Sequence, residues 1–172
     1  MIGRFLEWLV VGWLAHWFPS RYRLIPRMPD GAPLLRQFRI FSFGEESPRG
    51  VPHRWHVSVF LQSFRNPELV GEYHIHRWRR MFSIVLSGAF VEERGRGRRI
   101  EHKAPSAYTM GPRVIHRLAS VEPRTWTLFV MIGRNPTAPR GGWGYYNQVG
   151  RHFINYRPWN EAIPENRRVG QL

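Results

Sequence analysis

The chain contains no cysteine among its 172 residues. Disulfide bonds, thiolate metal ligands and cysteine nucleophiles are therefore excluded. The absence of disulfides fits a reducing compartment. We predict a cytoplasmic protein, with attachment to a membrane surface as the alternative.

Acidic residues are also scarce. Asp30 is the only aspartate, which leaves few candidates for chemistry by paired carboxylates. Glu92 and Glu93 are adjacent, and adjacent side chains on a β-strand face opposite sides of the sheet. These two carboxylates therefore cannot act as a pair. The sequence also has no phosphate-binding loop and no serine triad signature, so no organic cofactor is expected.

Lysine is nearly absent, although the chain is strongly basic. Lys103 is the only lysine among 26 basic residues, and the formal net charge is +14. Such a charge favours anionic partners, including nucleic acid, acidic lipid and phosphorylated metabolites. The alternative is a solvated basic surface that has no polyanionic partner.

The pattern from residue 34 onward predicts β-structure. Short runs rich in β-branched and aromatic residues alternate with turns that contain glycine or proline. No helical pattern separates consecutive runs, which argues against a parallel α/β sheet and favours an antiparallel sandwich or barrel. The eight predicted strands are residues 34–41, 54–64, 81–88, 89–93, 98–103, 106–110, 114–121 and 124–133.

The run from Phe5 to Phe18 is apolar on nearly every face. It is too short to span a bilayer comfortably, but its three tryptophans are typical of a helix in a membrane interface. The alternatives are a helix packed against the barrel or a second subunit, and a signal peptide with a poor cleavage site. The arginines that flank this run are Arg4, Arg21 and Arg23.

Three regions follow from these patterns. Residues 1–30 form the apolar helix and a linker, because residues 19–33 are rich in proline. Residues 34–160 form the barrel, and residues 161–172 form a C-terminal tail.

His74 and His76 form a His-x-His pair. On a strand, residues two apart face the same side, so both imidazoles project toward one point. Neutral imidazole is a common metal ligand, although an exposed histidine pair is the alternative interpretation.

The surroundings of this pair resemble the cupin motifs. Residues 71–88 resemble the first motif, in which His-x-His is followed by a strand and a glycine turn. Residues 110–118 are similar to the second motif, in which a Pro/Gly turn leads into a strand that carries one more histidine, here His116. The resemblance implies an antiparallel double-stranded β-helix, or jelly roll, that brings His116 beside His74 and His76.

The order of further residues is similar to that in a group of small cupin-like proteins of bacteria and phages. The resemblance covers about residues 55–160 and leaves the N-terminal helix outside it. The shared positions are His74, His76, Trp78, residues 83–86, Gly88, Phe90, Glu92, His116, Arg117, Trp126, Thr127, Leu128, Gly133, Trp143, Gly144 and Tyr145.

The chain departs from the usual first motif at one ligand. The metal-binding glutamate of that motif is replaced by Arg80 or Met81, and neither suits a hard divalent ion. The resemblance then implies a site of three histidines, as in the three-His iron dioxygenase cupins, with Glu92 as a candidate additional ligand. Fe(II) is the favoured metal, with Mn, Ni or Zn as alternatives. A cupin barrel that has lost its metal is the competing interpretation.

The resemblance implies a metal-binding protein, either a small-molecule oxygenase or a related metal-dependent enzyme. The candidate catalytic residues are Arg80 and Arg117, which would hold an anionic substrate, and Tyr108, which would donate a proton. The alternative is a non-catalytic cupin module that binds an anionic ligand, nucleic acid or a membrane surface. A homodimer is expected in either case.

Overall fold

The computed structural model describes residues 1–26, 33–44, 55–67, 73–76, 78–134, 144–146 and 153–155. Trp143, which belongs to the cupin-like pattern, and the predicted tail over residues 161–172 lie outside the described residues.

The described residues form a helical N-terminus followed by β-strands. The helical part runs continuously through α1 (Ile2–Glu7), a π-helical segment (Trp8–Leu14) and α2 (Ala15–Trp17), and a 3-10 turn follows at Pro19–Arg21. The strands are β1 (Tyr22–Pro26), β2 (Pro33–Phe43), β3 (Val57–Phe64), β4 (Tyr73–Ile75), β5 (Trp78–Ser87), β6 (Ala89–Arg94), β7 (Arg98–Lys103), β8 (Ser106–Met110), β9 (His116–Val121), β10 (Thr125–Arg134), β11 (Gly144–Tyr146) and β12 (Phe153–Asn155).

The strands form two antiparallel sheets. Sheet 1 has the order β1-β2-β3-β10-β5-β8, and sheet 2 has the order β12-β11-β4-β9-β6-β7. Within the eight strands β3 to β10 the chain crosses repeatedly between the sheets, and β3-β10-β5-β8 lies opposite β4-β9-β6-β7. This is the strand order of an eight-stranded jelly roll. The predicted double-stranded β-helix is therefore confirmed.

The space between the sheets is filled by alternate side chains of the strands. One cluster contains large side chains from four neighbouring strands of sheet 1, β3, β10, β5 and β8, and its members are Phe60, Trp78, Met81, Met110, Phe129 and Met131. A second cluster lies farther along the interior and contains Phe64, Val85, Phe90 and Leu118. Because strand side chains alternate between faces, a single set of strands supplies both this core and an outer surface.

The prediction of a linker over residues 19–33 is wrong for β1. Tyr22–Pro26 pairs with β2 in antiparallel register, with Tyr22 opposite Phe38 and Pro26 opposite Pro33. β1 lies at the edge of sheet 1, and proline is tolerated there because an edge strand does not need every N–H for pairing. Pro26 and Pro33 therefore lie at the ends of two paired strands.

The N-terminal helix packs on the outer face of sheet 1. Leu6 and Val10 are buried against Phe38 and Trp126. Glu7 forms ion pairs with three arginines, at 2.9 Å to Arg36, 3.1 Å to Arg65 and 3.9 Å to Arg124. Of the alternatives considered from sequence, the structure shows a helix packed against the barrel. Among the described residues, no helix has the length and apolar character that crossing a membrane requires.

Gly88 forms the tight turn between β5 and β6. Its φ is +70°, and an added Cβ would lie 2.8 Å from the Cα of Thr125 and 2.4 Å from its Oγ1. Both the left-handed conformation and the close approach of β10 therefore require glycine.

We expect Gly88→Ala to destabilise the protein by roughly 2–4 kcal/mol, because the left-handed strain and the overpacking add. Chemical denaturation measures this difference. Gly95→Ala is the matched control, since nothing lies within 4 Å of an added Cβ there. Equal stability of the two variants would contradict this account of the turn.

Candidate metal centre

Three histidines from two strands of sheet 2 meet inside the barrel. His74 lies in β4, directly opposite His116 at the start of β9. His76 lies just after the end of β4 and returns toward the same point. The ring centroids are 4.4 Å apart for His74 and His116, 4.8 Å for His74 and His76, and 5.0 Å for His76 and His116. The structure thus brings together the three histidines expected from sequence.

The positions of the ring nitrogens suit a shared cation. One ligand atom from each of the three residues lies within 4.8 Å of the others, so the group could hold a metal ion. The Nε2 atoms of His76 and His116 face each other at 2.9 Å. Two nitrogens bound to one ion at about 2.1 Å and at right angles would lie about 3.0 Å apart. Either a proton or a cation must lie between these two nitrogens, since two lone pairs at this distance repel each other.

The electrostatic surroundings keep His76 neutral. Burial, and then the neighbouring rings of His74 and His116, hold the pKa of His76 well below its ordinary value of 6.5, although Glu92 opposes this shift. A neutral imidazole has a free lone pair at neutral pH, and metal binding requires that form. The donor set and its protonation therefore fit a divalent metal.

Glu92 lies behind the ring of His116. Its Oε1 is 2.9 Å from the Nδ1 of His116, on the other side of the ring from the Nε2 that faces His76. Only 1% of Glu92 is exposed. The structure thus places this candidate additional ligand in contact with His116, on the side of the ring remote from the point that the three histidines share. A carboxylate in this position fixes the ring orientation and its tautomer, and makes the imidazole more basic.

Two further side chains hold the Glu92 carboxylate. Arg94 donates from Nε to Oε1 at 2.9 Å and from Nη2 to Oε2 at 3.0 Å, and His102 donates from Nε2 to Oε2 at 2.9 Å. Burial raises the pKa of Glu92, but hydrogen bonds from His102, His116 and Arg94 outweigh burial and hold the pKa well below its ordinary value. The carboxylate therefore stays ionised inside the barrel.

Tyr108 packs against His102, one of the side chains that hold the Glu92 carboxylate. Its ring lies 4.0 Å from the ring of His102, measured between centroids, and it packs against the interior cluster that contains Phe90. Burial raises the pKa of Tyr108 above its ordinary value, so its hydroxyl keeps its proton. The structure places this candidate proton donor beside His102.

The two candidate arginines lie outside the barrel. Arg117 follows His116 on β9 and faces the opposite side of the strand, where it donates to Oε2 of Glu93 at 3.0 Å. Its guanidinium also lies over the ring of Tyr73, and Tyr73 donates a hydrogen bond to Glu93. Arg80 is exposed and lies opposite Ile132 on sheet 1. Neither arginine is brought to the histidines, because strand alternation turns both outward.

Sequence reasoning missed His102 and Arg94 as members of the site. Neither residue belongs to the cupin-like pattern. Arg94 could have been found from the alternation of side chains on a strand, because Phe90, Glu92 and Arg94 share one face of β6. His102 joins that face only through the β6–β7 register, in which it lies opposite Phe90. That register is a property of the hairpin and could not be read from spacing alone.

We expect Glu92→Gln to lower the free energy of unfolding at pH 7 by about 3–5 kcal/mol, because it leaves the buried His102 and the partly buried Arg94 without a charged partner. The pKa of Glu92 is lower in the folded state than its ordinary 4.5. This carboxylate therefore stabilises the fold above about pH 4.5, and the stabilisation is lost as the pH falls below it. The difference between the wild type and the variant should therefore be the same at pH 7 and pH 5 and smaller at pH 4 and pH 3, as measured by urea titrations. Glu101→Gln, an exposed position on β7, should show neither effect. A difference that is constant over this pH range would contradict the assignment.

Several solved structures are similar to this chain at low sequence identity. No model of a protein family and no curated protein sequence matches this chain. Among solved structures, the chain is similar to KdgF from Halomonas sp., with 16% identity over 66% of this chain and 87% of that one, and a TM-score of 0.44. It is similar to an uncharacterised double-stranded β-helix protein from Klebsiella pneumoniae, with 12% identity over 72% and 90% of the two chains and a TM-score of 0.46. A third similar structure is Fe(II)-HppE with an alternative substrate, with 9% identity over 67% and 58% of the two chains and a TM-score of 0.47.

Proposed function

We propose that this protein is a metal-dependent enzyme of the cupin type that acts on a small molecule. His74, His76 and His116 would hold the ion. The observation that carries the proposal is the 2.9 Å approach of two imidazole Nε2 atoms in the barrel interior, with a third imidazole beside them. A buried carboxylate behind one of the rings supports a metal role, because such a carboxylate typically orients a metal-bound histidine.

Fe(II) is the favoured ion, with Mn, Ni or Zn as alternatives. Imidazole ligands suit iron, nickel and zinc. The resemblance to the three-His iron dioxygenase cupins favours iron among these metals. When bound, such an ion would bind oxygen or polarise an oxygen atom of the substrate.

The charge balance of the site favours an anionic substrate group. Three neutral imidazoles leave both positive charges of a divalent ion uncompensated, and Glu92 is already engaged by Arg94 and His102. Because Arg80 and Arg117 face outward, the ion would itself attract the anion rather than these arginines. Phe129 lies 6.2 Å from His76 between ring centroids and belongs to the apolar cluster of the interior. On this side, the wall beside His76 is therefore apolar.

The metal proposal is tested by the metal content of tag-free protein. We expect about one divalent ion per chain, and a loss of affinity greater than about 100-fold in His76→Ala and His116→Ala, because each variant removes a ligand. Elemental analysis and isothermal titration with Fe(II), Mn(II), Ni(II) and Zn(II) measure both quantities. His16→Ala, an exposed histidine of the N-terminal helix, is the control. Absence of stoichiometric metal, or equal affinity in all variants, would refute the proposal.

The position of Glu92 gives a second test on the same strand. We expect Glu92→Gln to weaken metal binding by about 10- to 100-fold, because His116 loses the charged partner that fixes its ring. Glu93→Gln should leave the affinity unchanged, since Glu93 is held by Tyr73 and Arg117 on the outer face. The same titration measures both variants. If the two variants weaken binding equally, Glu92 does not act through His116.

A second candidate function rests on the net charge of +14. In this alternative the barrel is a non-catalytic module that binds an anionic ligand or nucleic acid, and the histidines only form hydrogen bonds to one another. Tag-free protein without metal would favour this alternative. The homodimer and the nucleic-acid partner expected from sequence stay predictions.

A further inference from the structure

The N-terminal helix exposes large aromatic side chains along the side that faces away from the barrel. This aromatic face consists of Phe5, Trp8, Trp13, Trp17 and Phe18, and all five are exposed in the structure. Trp8 and Trp13 are five residues apart within or beside the π-helical segment, where residues at this spacing are neighbours. The rings of Phe5 and Trp8 lie 6.3 Å apart. The face is therefore continuous over much of the helix rather than a scatter of single residues.

The opposite side of the same helix is fixed to the barrel. Leu6 and Val10 are buried on sheet 1, and Leu14 packs against the same cluster. The apolar contacts are thus spread along the length of the helix. A helix held in this way presents its aromatic face outward, away from sheet 1.

The charges around the aromatic face are positive. Glu7 is the only acidic residue of the helical part, and it is engaged by Arg36 and Arg65. Arg4 is exposed near the start of the helix. Arg21 lies near its end, where its guanidinium is 5.6 Å from the centre of the Phe18 ring. The aromatic face therefore lies between two cationic side chains.

Exposed aromatic side chains flanked by arginines suit the surface of an anionic membrane. Tryptophan and phenylalanine are favoured at the boundary between lipid headgroups and acyl chains, and flanking arginines attract anionic headgroups. A second copy of the chain fits less well, because a two-fold contact through this face would bring positively charged surfaces together. The net charge of +14 also favours a membrane over a second copy, because it attracts anionic lipid and repels another positively charged chain.

We propose that the aromatic face lies flat in the interface of an anionic lipid bilayer and holds the barrel at the membrane surface. This inference is independent of the metal site. It requires only that the helix keep its packing on sheet 1 while Trp8, Trp13 and Trp17 enter the headgroup region.

Co-sedimentation of the full chain with lipid vesicles tests the proposal. We expect binding to vesicles of equal parts phosphatidylglycerol and phosphatidylcholine, and much weaker binding to phosphatidylcholine alone. The double variant Trp8→Ser/Trp17→Ser should lose at least tenfold in affinity, and both positions are 63% exposed, so the fold should survive. Trp55→Ser is the matched control, because Trp55 is 64% exposed and precedes β3 rather than belonging to the helix.

Two further measurements separate the outcomes. Circular dichroism should show the same unfolding transition in all variants. The double variant Arg4→Gln/Arg21→Gln, which keeps all the tryptophans, should bind anionic vesicles more weakly than the wild type. Absence of vesicle binding by the wild type at low salt, or equal binding by the double tryptophan variant, would overturn the proposal. A wild-type dimer that becomes a monomer in the double tryptophan variant, without vesicle binding, would also overturn it and assign the face to a second copy.

Discussion

The ionised carboxylate of Glu92 inside the barrel is the constraint on which the candidate site depends. A buried charge is tolerated only when partners surround it. Here Arg94, His102 and His116 supply the partners, all within about 3 Å of the carboxylate oxygens. The same contacts that make the carboxylate tolerable also orient His116. The stability of the fold and the orientation of His116 therefore both depend on Glu92, so a substitution of Glu92 alters both.

Adjacent residues in two strands have opposite roles because of strand alternation. On β6, Glu92 enters the barrel while Glu93 faces outward to Tyr73 and Arg117. On β9, His116 enters the barrel while Arg117 faces outward. The two strands are neighbours in sheet 2, and β6 shifts its register relative to β9 between Val91 and Glu92. The outer contact of Glu93 and the inner contact of Glu92 thus fix the same pair of strands from both faces.

The two surfaces of sheet 1 are also used differently. Its inner face supplies Phe129 and Met131 to the interior, beside the histidines. Part of its outer face is covered by the N-terminal helix through Leu6 and Val10. The helix in turn exposes its aromatic face to the surroundings. Under our two proposals, one sheet separates a chemical site in the interior from an attachment site outside.

The sequence by itself determined eight of the twelve described strands and the identity of the three histidines, whereas β1, β4, β11 and β12 were not predicted. The predicted eight strands correspond to β2, β3 and β5 to β10, because alternation and glycine turns such as Gly88 act locally. His74 and His76 were readable from spacing and His116 from the cupin-like pattern. The edge strand β1 was not readable, since its prolines indicated a linker until a partner strand was known.

Only the tertiary structure decided what surrounds those histidines. His102 reaches Glu92 through the pairing of β6 with β7, and Glu92 reaches His116 through the pairing of β6 with β9. Arg117 is turned away from the site by alternation along β9, and Arg80 lies opposite the exposed Ile132 on the outer face of sheet 1. Sequence spacing fixes which residues of one strand share a face. The contacts between strands depend on register, and register is set by how the whole barrel closes.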